Sequence, residues 1–229
     1  MLIKLDKMKS SVLIDLLSKE HLRIHTSQLG EDVLLWHMCN RKNNGFYIDI
    51  GAHHPYRFSN TFLLHKMKNW RGINIDLDKR AIDAFNRERP NDINICAAVS
   101  DDRTPVELTI YEDGAVNTID PLMKERSRKK REPKHKEIIQ TETLSDLLDR
   151  FLPVDQHIDL LDVDAEGSDV KVLYSNNWEK YRPDIIVVED HQLRLANPKK
   201  SVIYQFLTSQ AYVLNSHLRI TSIYTDQKQ

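Results

Sequence analysis

The stretch Gly45-Phe46-Tyr47-Ile48-Asp49-Ile50-Gly51-Ala52-His53-His54-Pro55 decides the fold. Phe46, Tyr47, Ile48 and Ile50 make a β-rich apolar run that breaks at Gly51, and Pro55 ends any regular continuation. Such a pattern predicts a buried strand that enters a tight loop. Asp49 sits in the middle of the run. Burying a carboxylate costs several kcal/mol unless it is paired or hydrogen-bonded, so this acid points to a ligand or to a fixed polar network. Gly51 lets the backbone approach a partner closely, as glycine does at strand ends that face a nucleotide.

Working outward, the chain alternates strand and helix. A helix is expected over residues 27–36, where Ser27 and the acids after it suit the free N–H groups of a helix start. After the loop, Ser59, Asn60 and Thr61 predict a cap for a helix through Phe62, Leu63, Leu64 and Met67, whose N-terminus offers backbone donors to a negative group. Strands are expected at 72–76, 93–99, 158–163 and 184–188, with helices at 79–89, 142–151, 168–174 and 202–207 between and after them. Period-two alternation over 106–111 predicts an added strand, and short strands near 212–214 and 223–224 predict an antiparallel closing pair. This order implies βαβ units and a parallel sheet. The fold class is therefore α/β, a Rossmann-like, mostly parallel sheet with helices on both faces.

Composition sets wide bounds. The chain has 229 residues, a formal net charge of −1 and two cysteines, Cys39 and Cys96. That length suits one α/β domain with a full core. Two cysteines make no disulfide framework or Cys-x-x-Cys pattern, which fits a reducing cytoplasm. No run approaches a membrane span, and Met1-Leu2-Ile3-Lys4 does not open a signal peptide; a soluble cytoplasmic protein is the expectation. Residues 5–20 carry helical periodicity, so 1–26 are expected to form a helical extension to a single domain over 27–229. The run 124–136 has a strong basic excess. It predicts a solvated loop or lid near 122–138, or a surface for an anionic or lipid-linked sugar. No aromatic platform accompanies the charge, which argues against nucleic acid.

The acids at strand ends carry the chemistry. Asp76 closes its strand 25 residues beyond Gly51; in nucleotide-binding α/β folds an acid near that spacing receives the two ribose hydroxyls. A carboxylate can accept both bonds. Small residues such as Ala98 and Ser100 at the end of the third strand would let an adenine ring lie against the backbone. Asp164, Glu166, Glu189, Asp190 and His191 fall at the carboxyl ends of neighbouring strands, where ligands bind in open α/β sheets. The loop Gly51–Pro55 lacks the Gly-x-Gly-x-x-Gly that a pyrophosphate needs, so a nicotinamide-dependent oxidoreductase is the weaker reading. A non-catalytic binding module of the same fold is a further alternative.

The sequence resembles the FkbM-type methyltransferases, which are S-adenosylmethionine-dependent O-methyltransferases. The resemblance rests on the opening stretch, on Ser59-Asn60-Thr61, on Trp70-Arg71-Gly72-Ile73-Asn74-Ile75-Asp76, on Asp162-Val163-Asp164-Ala165-Glu166-Gly167 and on Tyr181-Arg182-Pro183-Asp184-Ile185-Ile186-Val187-Val188-Glu189, with Ser27-Gln28-Leu29-Gly30-Glu31-Asp32 as the helix before the first strand. It implies a seven-stranded methyltransferase sheet and methyl transfer to a hydroxyl, commonly on a sugar of a glycan or natural product. It also implies a cofactor pocket of Asp49, Gly51, Ala52, His53, Ser59, Asn60, Asp76, Leu77, Ala98, Ser100 and Asp164. Catalysis would fall to Asp164, Glu166, Glu189 and His191, with His53 and His54 as a second pair of base candidates and Asn117-Thr118 within reach of the acceptor. The hydroxyl proton can be handled by a positioned base, or by Mg²⁺ or Mn²⁺ held by Asp164, Glu189 and Asp190. A homo-oligomer is compatible with all of this. The chain departs from the family pattern in three places. Asp162 stands where the family often has lysine, Ala165 where it often has valine, and the basic run looks like an insertion.

Overall fold

The structure, a computed structural model, describes residues 25–39, 42–111, 119–120, 132 and 134–228. The expected N-terminal helix over 5–20, Asn117-Thr118 and most of the basic run lie outside the described residues.

Alternation becomes architecture as follows. Helix α1 (Glu31–Met38) leads into β1 (Phe46–Ile50), α2 (Phe62–Lys68), β2 (Arg71–Asp76), α3 (Lys79–Glu88) and β3 (Ile93–Cys96). Then come β4 (Ala98–Val99), β5 (Pro105–Ile110), β6 (His135–Glu142), α4 (Leu144–Phe151), β7 (Leu160–Val163) and α5 (Asp169–Tyr174). The chain closes with β8 (Ile185–Glu189), a 3₁₀ turn (Pro198–Lys200), α6 (Val202–Ser209), β9 (Tyr212–Leu218) and β10 (Thr221–Asp226). Seven strands form one sheet in the order β3-β2-β1-β7-β8-β10-β9. The first five are mutually parallel, and β10 runs antiparallel to both β8 and β9. The order reverses direction between β1 and β7, and such switch points open a crevice at the carboxyl ends of the strands.

Each face of the sheet carries its own core. Phe46, Ile48, Ile50, Leu161, Val163, Ile186 and Val188 pack with α4, α5 and α6 through Leu147, Val172 and Leu207. Tyr47, Leu160, Ile185 and Val187 face the other way, against Leu35 of α1 and Leu64 of α2. Strand side chains alternate faces, so Asp49 and Asp162, two residues beyond Tyr47 and Leu160, stand on the α1–α2 face. Helix α3 joins that side through Arg89, which packs on the rings of Tyr47, Phe62 and Phe85.

Four expectations are corrected here. The run 93–99 is two strands: β4 leaves the main sheet and pairs with β6 at Thr141 and Glu142. The end of the expected basic lid is β6, which pairs antiparallel with β5 from Ile110 and His135 to Pro105 and Gln140. Helix α1 starts at Glu31 behind Gly30 at φ 96°, not at Ser27; the Ser27 hydroxyl still accepts from the Gly30 amide at 3.0 Å. Thr61 sits at the start of α2 without capping it through its side chain, because its hydroxyl donates to Asp49 at 2.8 Å.

Candidate active site

The crevice at the switch point is assembled from the ends of β1, β2, β3 and β7. Gly51 makes the first approach possible. It has φ 77°, and a Cβ there would lie 1.7 Å from the Asp164 carbonyl oxygen. Its amide donates to the Ile75 carbonyl at 2.9 Å, and the Asp164 amide donates to the Ile50 carbonyl at 2.9 Å. The ends of three strands are thereby drawn together.

Asp76 is fixed from both sides. The His53 amide donates to its Oδ2 at 2.8 Å and the Asp78 amide to its Oδ1 at 2.6 Å. Each oxygen keeps a second lone pair, as a receptor for two neighbouring hydroxyls requires. Burial pushes the Asp76 carboxyl up to about 6, against the pull of those two amides. Ala97, Ala98 and Val99 provide the small apolar wall beside it.

Asp49 is held by a buried cation that sequence reasoning missed. Arg89 is 1% exposed. Its Nη1 donates to the Thr61 hydroxyl and the Tyr47 hydroxyl, both at 2.9 Å. Its Nη2 donates to the Ser59 hydroxyl at 3.0 Å and to the Pro55 carbonyl. The Thr61 hydroxyl in turn donates a hydrogen bond to Asp49 Oδ2 at 2.8 Å. Burial raises the Asp49 carboxyl, and the Arg89 charge and the Thr61 bond oppose that rise. One guanidinium thus locks the loop 55–61 onto β1.

Beyond Asp49 the cleft becomes strongly acidic. Asp49 and Asp162 are register partners on adjacent strands, and Asn60 donates to Asp162 Oδ1 at 3.2 Å. Burial, followed by Asp49, pushes Asp162 well above the usual carboxylate range. Asp164 is raised likewise, by burial and then by Glu189 and Glu166. The Asp164 Oδ1 is buried without a hydrogen-bond partner among the described residues. The loop beyond it is shaped by Asp169, which accepts from the Ala165 amide at 2.8 Å and the Gly167 amide at 3.2 Å. Glu166 there adopts φ 46°.

Most of the residues expected at the site meet in this one cleft. Asp49, Gly51, Ala52, His53, Ser59 and Asn60 line it, and so do Asp76, Leu77, Ala98, Asp164 and Glu166. Ser100 does not: its hydroxyl donates to Asp101 at 3.2 Å and its amide to the Glu142 carbonyl, because β4 has turned away with β6. Glu189 lines an adjoining compartment with Asp162 and Asp164. Exposed His191 stands outside with Nε2 at 3.2 Å from Glu189 Oε2. His54 does not line the cleft; its Nδ1 accepts the Tyr56 and Arg57 amides at 3.3 and 3.2 Å. Residues not singled out beforehand are Gln28 and Phe58, which line both compartments.

The expected metal set does not assemble. Asp190 is 3% exposed and spends its carboxylate on Ser201 and on the amides of Gln192 and Leu193. Among the described residues, ligand atoms of three such side chains come within 4.8 Å of one another only at His157, Asp159 and Asp184. That cluster is already paired: His157 with Asp184 at 2.7 Å, and Asp159 with Lys42 from outside it.

The cleft's acceptors fit S-adenosylmethionine. An anchored acid with free lone pairs suits a ribose diol. An acidic floor with no Lys or Arg among its described lining residues suits a cationic sulfonium and would repel a pyrophosphate. The family model described as "Methyltransferase FkbM domain" matches residues 49–214. No curated protein matches the chain. Among solved structures the chain is similar to a TehB-like SAM-dependent methyltransferase from Corynebacterium glutamicum, with 10% identity, 95% of this chain and 96% of that chain covered, and a TM-score of 0.41. No helix of the described residues is long and apolar enough to cross a membrane.

Proposed function

The chain belongs to the FkbM methyltransferase family, and on that premise we propose that it methylates a hydroxyl of a sugar-containing acceptor. The observation that carries this reading is half-buried Asp164, whose buried Oδ1 has no hydrogen-bond partner among the described residues, at the junction of the cofactor cleft and the adjoining compartment.

S-adenosylmethionine, when bound, supplies a methyl carbon that leaves sulfur as the acceptor oxygen takes it, the electron pair returning to sulfur. Asp76, with Leu77 beside it, would hold the ribose, and the wall Ala97–Val99 the adenine. Asp49, Gly51, Ala52, Ser59 and Asn60 would border the methionine end. Asp164 would accept the hydroxyl proton; its neighbours raise its proton affinity, which improves a carboxylate as a base at neutral pH. Glu189 and Glu166 supply the negative field that keeps it so, with His191 outside as a proton exit from Glu189. Alignment of donor, carbon and oxygen supplies the rest of the rate. The described lining contains no Lys or Arg, which favours a neutral or cationic acceptor over the anionic one expected from the basic run.

Calorimetry with S-adenosylhomocysteine and with NAD tests the cofactor half, and a methyl mass shift on a panel of oligosaccharides tests the acceptor half. Binding of NAD with no binding of S-adenosylhomocysteine would overturn the reading.

A further inference from the structure

The compartment beyond the cofactor cleft has an unusual lining. Its charged groups are Glu31, Asp162, Asp164 and Glu189, and no Lys or Arg lines it among the described residues. Glu31 and Glu189 line only this compartment, not the cofactor cleft. Glu31 is 2% exposed and held in place by two hydrogen bonds. Its Oε2 accepts the Leu29 amide at 2.8 Å and its Oε1 the Thr221 hydroxyl at 3.2 Å. Asp162 is 4% exposed, with Asn60 as its donor. Arg89, the buried cation of this region, is committed to Thr61, Tyr47, Ser59 and Pro55 on the far side of Asp49. The Asp164 carboxylate, open to both compartments, has a buried oxygen with no hydrogen-bond partner among the described residues.

The sheet dictates how these acids are spread. Asp49 is opposite Asp162 across β1 and β7, and Asp162 is opposite Val187 across β7 and β8, with Glu189 two residues on along the same face. Neighbouring strands lie about 4.8 Å apart, so the acids form a row instead of converging on a point. The absence of a three-ligand convergence here, among the described residues, agrees. A row of carboxylates suits a hydrogen-bonding ammonium better than a bare divalent ion, which needs several oxygens at once. Phe58, 51% exposed, stands in the wall of the same compartment. An aromatic face beside carboxylates is a known receptor chemistry for ammonium groups.

Resting on the methyltransferase reading above, we infer that the acceptor is a hydroxyl compound carrying a protonated amine, such as an amino sugar, with the ammonium among Glu31, Asp162 and Glu189 and the reacting hydroxyl at Asp164. The amine anchors the acceptor while the neighbouring hydroxyl meets the base. N-acetylation of such an acceptor would remove the positive charge that this acidic row is placed to meet, and a site built for a polar group discriminates most strongly against an analogue that lacks it.

The test uses chitosan oligosaccharides, which carry free amines, against the same oligosaccharides after N-acetylation. Both are titrated at matched salt into the full chain loaded with S-adenosylhomocysteine, and both are assayed for S-adenosylhomocysteine release from S-adenosylmethionine. The amine form is expected to bind at least tenfold tighter and to be the one methylated. In Glu31→Gln the preference should fall toward unity, with S-adenosylhomocysteine affinity within twofold of the parent. Equal binding of the two forms, no binding of the amine form, or binding of MgCl₂ in its place would overturn the inference. Failure to bind S-adenosylhomocysteine would instead overturn the cofactor reading, so the two failures are told apart.

Discussion

Gly51 and Asp164 are in backbone contact across β1 and β7: a Cβ on Gly51 would sit 1.7 Å from the Asp164 carbonyl oxygen. Gly51 also has φ 77°, a left-handed conformation that costs an L-residue roughly 1–2 kcal/mol. Gly51→Ala must therefore push apart the two strand ends that shape the cleft. We expect a loss of stability at or above the upper end of the usual point-mutant range, about 3 kcal/mol, together with loss of S-adenosylhomocysteine binding. Thermal unfolding with and without ligand measures both. A Gly51→Ala protein with unchanged Tm and ligand shift would show that the strand ends are not so constrained.

Asp76 makes a pH-dependent prediction with two opposite signs. Its carboxyl is raised to about 6 by burial. Without ligand, the folded state binds a proton more tightly than the unfolded state. The associated stability is present below about 3.9, the ordinary aspartate value, and is lost as pH rises through 6. The span is about two pH units, or about 3 kcal/mol at 1.36 kcal/mol per unit. Ribose hydroxyls donate to the ionised form, so cofactor affinity should move the other way. It should fall roughly tenfold per pH unit below 6. Asp76→Asn should flatten both profiles and weaken binding about 10–100-fold, the size of one hydrogen bond to a charge. Urea unfolding and calorimetry at several pH values provide the measurements.

How much of this was legible in the residues follows a physical rule. Asp49 and Asp76 stood out because an acid that ends or interrupts an apolar run needs a ligand or a fixed polar network to offset its burial. The βαβ units and parallel sheet followed from strand and helix alternation, since parallel strands require crossovers; the seven strands were implied by the family resemblance, and their order emerges only from the fold. Strand β6 was hidden because its side chains are mostly exposed, so it lacks the apolar alternation that marks a strand. Ser100 was misplaced for the same reason, since pairing with β6 is what pulls β4 out of the sheet. Arg89 and Glu31 were hidden differently. An arginine at a helix end and an acid in a first helical turn are normally solvated and stabilise the helix dipole there. Only the tertiary fold buries them, and no local pattern reports that.

Asp164 predicts the kinetics. Asp164→Asn keeps the shape and removes the base, so turnover should drop by roughly 10²–10⁴ with S-adenosylhomocysteine still bound. Burial and the flanking acids hold its carboxyl high. Wild-type turnover should therefore fall on acidification from a higher pH than an ordinary aspartate would give. Single-turnover rates over a pH series, beside binding of S-adenosylhomocysteine at each pH, separate the two effects. Unchanged turnover in Asp164→Asn would move the base role to another group.

Arg89 and Asp49 should prove energetically coupled although Thr61 stands between them. Removing a buried cation leaves its compensated acid stranded, and such losses are commonly about 3–5 kcal/mol. Arg89→Met preserves much of the volume of a side chain that is 1% exposed, so its cost should reflect charge and hydrogen bonding more than a cavity. It also releases the Ser59 and Pro55 contacts that fold the loop 55–61 over the cleft, so cofactor affinity should weaken as well. Asp49→Asn removes the stranded charge but keeps a polar group able to accept from Thr61. The double variant Arg89→Met with Asp49→Asn should then be more stable than the sum of the single losses predicts, by at least about 1 kcal/mol, within the range seen for directly networked residues. Urea unfolding of all four proteins at neutral pH gives the coupling. Additivity within about 0.5 kcal/mol would mean that Arg89 serves the loop alone and that Asp49 is compensated by something else.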